Sequence, residues 1–249
     1  TSSSDAGGEA LLLQPRSTTS KPAQAAWAIL RVGWPIAISQ TAMWVQGFVT
    51  IWLLGANGKK LAMAGYGLAN VLCNITGHCI LWGIGAGIDT LASQAWGAKE
   101  YQAIGLVNQR ALLILTLLVN LPVVAIWLNA TPILLACRQD PDVAEQVQLF
   151  AQLRIPGLFA QGLVCCCSKT LQAMGKTRGL AVVNVLGIVL SVGLAWLFIA
   201  ASSPVSHHFP PIAGSALMST LTDLGSAAAL LLVAACGADC RRCWPGWTR

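Results

Sequence analysis

Three ionisable side chains lie inside long apolar stretches of this 249-residue chain: Asp89, Arg154 and Asp223. A charge held in hydrocarbon is costly, so such a group marks a path, a site or a buried partner. Asp223 follows Ser219, Thr220 and Thr222, a polar turn in an otherwise apolar segment, and Asp89 is followed by Thr90, Ser93 and Gln94. A carboxylate so placed can take up and release a proton near neutral pH, or it can be a hydrogen-bonded structural group. Asp223 is the candidate proton site. Arg154 either pairs with a carboxylate or extends to the non-cytoplasmic interface, and the second is the expectation.

Other reactive residue types carry less. Cys73, Cys79 and Cys165 to Cys167 fall within or at the end of apolar spans, where reduced thiols pack as small hydrophobes. Cys240 and Cys243 form a lone C-x-x-C, with Cys236 before it, and no second pair or nearby His completes a zinc site. Lipidation is the alternative use of these juxtamembrane cysteines. His207 and His208 sit in a Pro-rich loop, and the chain has no H-E-x-x-H, G-x-S-x-G or P-loop, so an enzyme is not expected. Of two N-x-T triplets, Asn74 lies mid-span, and Asn129 lies in a short loop hard against the membrane.

The elements that position these residues follow from composition. Only 10% of residues are charged against 55% hydrophobic, and mean hydropathy is +0.66. A soluble domain carries about 25% charged residues to cover its surface. The chain is therefore an integral membrane protein. Residues 30–54, 61–88, 107–128, 145–168, 180–201 and 212–236 are six candidate spans, since about 20 apolar residues cross a hydrocarbon core about 30 Å thick. The fourth is the least apolar, with Glu145 and Arg154 within it. It is counted because omitting it would misorient the fifth.

The chain divides into a disordered cytoplasmic tail over 1–26, a six-helix membrane lobe over 27–238, and a basic cytoplasmic linker over 239–249. Lys99, Arg110, Lys169, Lys176, Arg241 and Arg242 fall on one side of the membrane in this topology, against Lys59, Lys60 and Arg138 on the other. The positive-inside rule then places both termini in the cytoplasm. The net charge of +6 thus reflects membrane orientation, and no basic stripe with interleaved aromatics suggests nucleic acid. Trp27, Trp34, Trp52, Trp127 and Trp196 lie near span ends, as interfacial anchors do. Pro35, Pro122 and Pro156, with Gly83, Gly85 and Gly87, suit bent, closely approaching helices.

Three blocks then carry a resemblance. The stretch 88–101, IDTLASQAWGAKEY, is similar to the signature after the second helix of the MATE family, the multidrug and toxic compound extrusion transporters. Arg138-Gln-Asp-Pro-Asp-Val143, Ile155-Pro-Gly-Leu-Phe159, Leu171-Gln172 and Gly175-Lys176 resemble the third loop and fourth helix of eukaryotic members. Gly214-Ser-Ala-Leu217 and Trp244-Pro-Gly-Trp247 resemble the sixth helix and the mid-chain linker. The blocks run in family order over nearly the whole chain.

The resemblance implies an all-α polytopic fold, six transmembrane helices forming one lobe of a twelve-helix transporter. It implies antiport of organic, often cationic, compounds by alternating access, coupled to H+ or Na+ with no other cofactor. It assigns Asp89, Thr90, Gln94, Gly97, Pro156, Gln172 and Gly175 to gating and lobe integrity. Gln40, Gln46, Asn70 and Asn74 are candidates to line the cleft. The family pattern has Gln or another neutral polar residue at the position of Asp223, and Thr50 stands where many prokaryotic members carry a first-helix Asp. The expected partners are the lipid bilayer, the organic solutes, and a C-terminal lobe or second copy, in a plasma or organellar membrane. The alternative is a truncated, non-transporting lobe or gene-model fragment that serves, if at all, as a partner subunit.

Overall fold

A computed structural model describes residues 22–199, 209–237 and 243. Helices follow one another as α1 (Pro22–Ala56), α2 (Lys60–Gly97), α3 (Tyr101–Leu128), the short α4 (Ala130–Ala136), α5 (Pro141–Ala173), α6 (Thr177–Ile199) and α7 (Pro211–Cys236). Of these, α2, α3, α5, α6 and α7 are long and apolar enough to cross a membrane, and among the described residues α1 holds a shorter apolar stretch, Val45–Ala56. The basic linker, residue 243 apart, and the His207–His208 loop lie outside the described residues.

The chain separates into two units, Thr1–Trp34 and Pro35–Arg249. Of the first, residues 22–34 are described; they are helical and expose Trp27 and Trp34. The second holds the core and the site.

Four helix ends close in the same way. Residues Gly58, Lys99, Arg138 and Gly175 take positive φ, and the following amide reaches back: Lys59 N–H to Leu54 O, Glu100 to Ala95 O, Gln139 to Leu134 O and Lys176 to Leu171 O. This left-handed cap satisfies the carbonyls that a helix end leaves free. At the start of α5, Asp140 accepts from the Asp142 amide at 2.9 Å, with Pro141 in the first turn.

The weak apolarity of the fourth span has a packing cause. Half of its membrane window is buried within the protein, against 22% for α6. α5 packs on α7, α2, α3 and α4. A helix surrounded by other helices meets polar partners on several sides and needs fewer lipid-facing apolar groups. α6, at the other extreme, exposes Val182, Val185, Leu186, Val189 and Trp196.

Trp127 departs from the interfacial role expected of it. It is fully buried, and its indole N–H donates to Thr76 Oγ1 at 2.9 Å, joining α3 to α2. Trp52 and Trp196 are more than half exposed, as anchors are.

Candidate functional site

Tyr66, Asn70, Asn74, His78 and Trp82 recur at four-residue intervals along α2, and all five line one cavity. Four residues overshoot a turn of regular α-helix by about 40°, so a strict four-residue row drifts off any face. Asn74–His78 is a π-helical segment, whose wider turn offsets part of that drift. Within it Asn74 Nδ2 donates to Asn70 O at 2.8 Å and lies 3.1 Å from Asn70 Oδ1. The two asparagines thus pair along their own helix, on the cavity wall.

α5 and α7 supply the opposite wall. Arg154, Gln161, Ser168 and Gln172 share one face of α5, and Ser219, Thr222, Asp223 and Ser226 share one face of α7. Gln46 of α1 and Asn184 of α6 complete a cavity of about 430 Å³. Gln46, Asn70, Asn74, Gln172 and Asp223 therefore all face the same space. The side chain of Gln40 lies outside the described residues.

At the centre is an ion pair that sequence reading did not favour. Arg154 does not extend to the interface: Nη1 donates to Asp223 Oδ2 at 2.7 Å, and the two side chains are only 10% and 11% exposed. Gln161 Nε2 donates to the other carboxylate oxygen, Oδ1, at 2.6 Å. Arg154 Nη2 lies 3.3 Å from His78 Nε2. A guanidinium only donates, so His78 Nε2 accepts and the imidazole is neutral in this arrangement. The pair forms because it is cheaper to neutralise two buried charges than to solvate either alone in hydrocarbon. Gly157 makes room for it: a Cβ there would stand 3.1 Å from Asp223 Oδ2 and 3.4 Å from Thr220 Cα. Thr220 Oγ1 donates to Leu153 O at 2.8 Å, beside Pro156, which interrupts the α5 hydrogen-bond ladder.

The signature stretch forms a second, more exposed cluster. Its residues 88–97 are the last part of α2 itself, and only 98–101 follow that helix and lead into α3. Asp89 Oδ2 accepts from Lys169 Nζ at 2.6 Å, and the ammonium lies 5.4 Å from the ring centroid of Trp82, a cavity wall residue. One turn before Asp89, a Cβ at Gly85 would stand 2.5 Å from Cys165 Sγ, so any side chain there would force Cys165 or α5 to shift. Gly83 and Gly87 have nothing within 4 Å. Thr90, Gln94, Gly97 and Pro156 are exposed outside the cavity, while Gly175 supplies the positive φ (70°) that ends α5. Thr50 is fully buried and donates to Gln46 O at 2.9 Å.

Residues 35–197 match the MatE family profile. The chain belongs to the MatE family. Multidrug and toxin extrusion protein 1 of Danio rerio is 31% identical over 89% of this chain and 36% of its own length. Protein DETOXIFICATION 13 of Arabidopsis thaliana is 32% identical over 66% of this chain and 34% of its own. The crystal structure of the eukaryotic MATE transporter AtDTX14 superposes with a TM-score of 0.78 at 24% identity, covering 87% of this chain and 46% of that one. The fold is thus that of one part of a MATE transporter, and the chain spans about a third of the curated relatives and just under half of the solved one. By name, the Danio rerio relative is an extrusion protein and the solved structure is a transporter.

Sequence reading did not single out His78, Gln161 or Asn184 for the site. A signal was present: Arg154 and Gln161 are seven apart, and Tyr66 to Trp82 form an unbroken four-residue row.

Proposed function

We propose that this MatE protein extrudes organic solutes, cations among them, by alternating access, in exchange for protons carried on Asp223. The observation that carries the reading is the Asp223–Arg154 pair facing a polar-lined cavity between α5 and α7. A proton on Asp223 removes the charge that attracts Arg154 across the α5–α7 contact. The protonated and ionised forms then favour different helix arrangements, which coupling requires: an ion that bound both states equally would drive nothing. The aromatic walls, Tyr66, Phe150 and Trp82, suit the apolar parts of a solute and the charge of an organic cation.

Both termini lie on the cytoplasmic side in this reading, and a second lobe completes the path, either further polypeptide or a second copy. The coupling ion is H+ rather than Na+, because the cavity carboxylate is already held by an internal cation. The test is uptake of tetraethylammonium into vesicles containing the full chain, with the vesicle interior acidic. Wild type accumulates the cation, a Na+ gradient alone does not drive it, and Asp223→Asn abolishes accumulation. Unchanged accumulation by Asp223→Asn would exclude Asp223 as the proton carrier.

A further inference from the structure

The cavity holds a guanidinium as well as a carboxylate, and proton exchange with organic cations uses the guanidinium only as the partner of Asp223. While Asp223 is ionised, the two formal charges on the cavity wall cancel. Protonating Asp223 leaves Arg154 buried with no anion beside it. A buried, uncompensated charge is strongly unfavourable, so Arg154 then gains from any anion small enough to enter. A guanidinium has five N–H donors, of which Nη1 meets Asp223 and Nη2 meets His78, so donors remain for another acceptor.

The surroundings define the chemical class of that anion. Protonating Asp223 weakens the bond that Gln161 Nε2 donates to Oδ1, so an incoming carboxylate competes for that donor. Ser219, Thr222 and Asn184 line the same wall, and Tyr66 and Phe150 stack edge-on at 5.6 Å beside Arg154 and Asn70. Titratable groups around the pair are His78, Tyr66, Cys73 and Cys79, all on α2. Among the described lining residues, α1, α6 and α7 add no further charged side chain to Asp223.

We propose that Arg154 is a carboxylate-binding site which opens when Asp223 is protonated, and that it takes solutes pairing a carboxylate with an aromatic or apolar body. This rests on the reading of Asp223 as a proton carrier. It extends that reading by reversing the sign of coupling: an organic cation displaces the proton from Asp223, whereas a carboxylate solute binds together with it.

The experiment uses the full chain in lipid nanodiscs, with benzoate and tetraethylammonium as probes, in weakly buffered solution. Benzoate binding is expected to take up about one proton per molecule bound and to weaken on going from pH 5.5 to pH 8 (on the order of tenfold or more). Asp223→Asn, which keeps the shape and removes the charge, is expected to bind benzoate equally at both pH values. Arg154→Gln and the neutral double variant Arg154→Gln/Asp223→Asn are expected to lose binding by about tenfold or more, at unchanged helical content. Benzoate binding with no proton uptake, or binding that survives Arg154→Gln, overturns the proposal, and both readouts remain available if Asp223→Asn fails to fold. Proton-coupled benzoate binding without any tetraethylammonium-driven proton release would sustain this site while removing the cation-exchange reading.

Discussion

At the residue scale, stability turns on the Arg154–Asp223 pair, and so, in the proposed function, does coupling. Both side chains are nearly buried, and each carboxylate oxygen has a donor, Nη1 of Arg154 and Nε2 of Gln161. Removing one member leaves the other charge uncompensated, which in buried pairs costs about 3–5 kcal/mol. Thermal unfolding in detergent should therefore show Arg154→Met and Asp223→Leu each strongly destabilised. The double variant should lose much less than the sum of the two, because apolar residues can replace a buried ion pair at little net cost. Additive losses would mean that the two side chains do not stabilise one another.

At the element scale, the approach of α2 to α5 depends on a single missing methyl group. Gly85 faces Cys165 Sγ at a distance no real Cβ could occupy, and Cys165 in turn donates to Leu81 O at 3.6 Å. Gly85→Ala should cost about 1–3 kcal/mol through overpacking, and Cys165→Ala introduced alongside should recover most of that. Gly83→Ala and Gly87→Ala meet open space, so they should be neutral or stabilising by up to about 1 kcal/mol from helix propensity alone. Melting temperatures of the four variants decide this. The same reasoning bears on Asp89: because Gly85 and the Asp89–Lys169 bridge lie one turn apart, the bridge fixes the α2–α5 register at the cavity edge where Trp82 stands.

At the scale of the whole molecule, the prediction concerns which thiols see water. Cys79 is exposed and lines the cavity, whereas Cys73 and Cys166 are buried in the helix packing. In variants retaining one cysteine each, a water-soluble maleimide should label Cys79 in nanodiscs and leave Cys73 and Cys166 unreacted. Equal labelling of all three would mean that the helices do not pack as described. Prior addition of benzoate at pH 5.5 should slow labelling at Cys79, which directly follows His78 of the Arg154 cluster.

The membrane character, the all-helical fold and the family were legible in the sequence. They depend on local quantities: runs of apolar residues long enough to cross hydrocarbon, basic residues between them, and short contiguous signatures such as that over 88–101. The three ionisable residues within spans were equally visible, because the cost of a charge in hydrocarbon does not depend on the fold. Their partners were not. Arg154 and Asp223 are 69 positions apart, Lys169 and Asp89 are 80, and nothing local says which helix faces which. The π-helical segment that keeps Tyr66 through Trp82 on one wall is likewise invisible to α-helical periodicity, and Trp127 has the sequence setting of an interfacial anchor but the packing of a core residue. A span is determined by transfer from water to hydrocarbon, which each segment undergoes alone. A site is determined by which helical faces come together, and only the packed helices decide that.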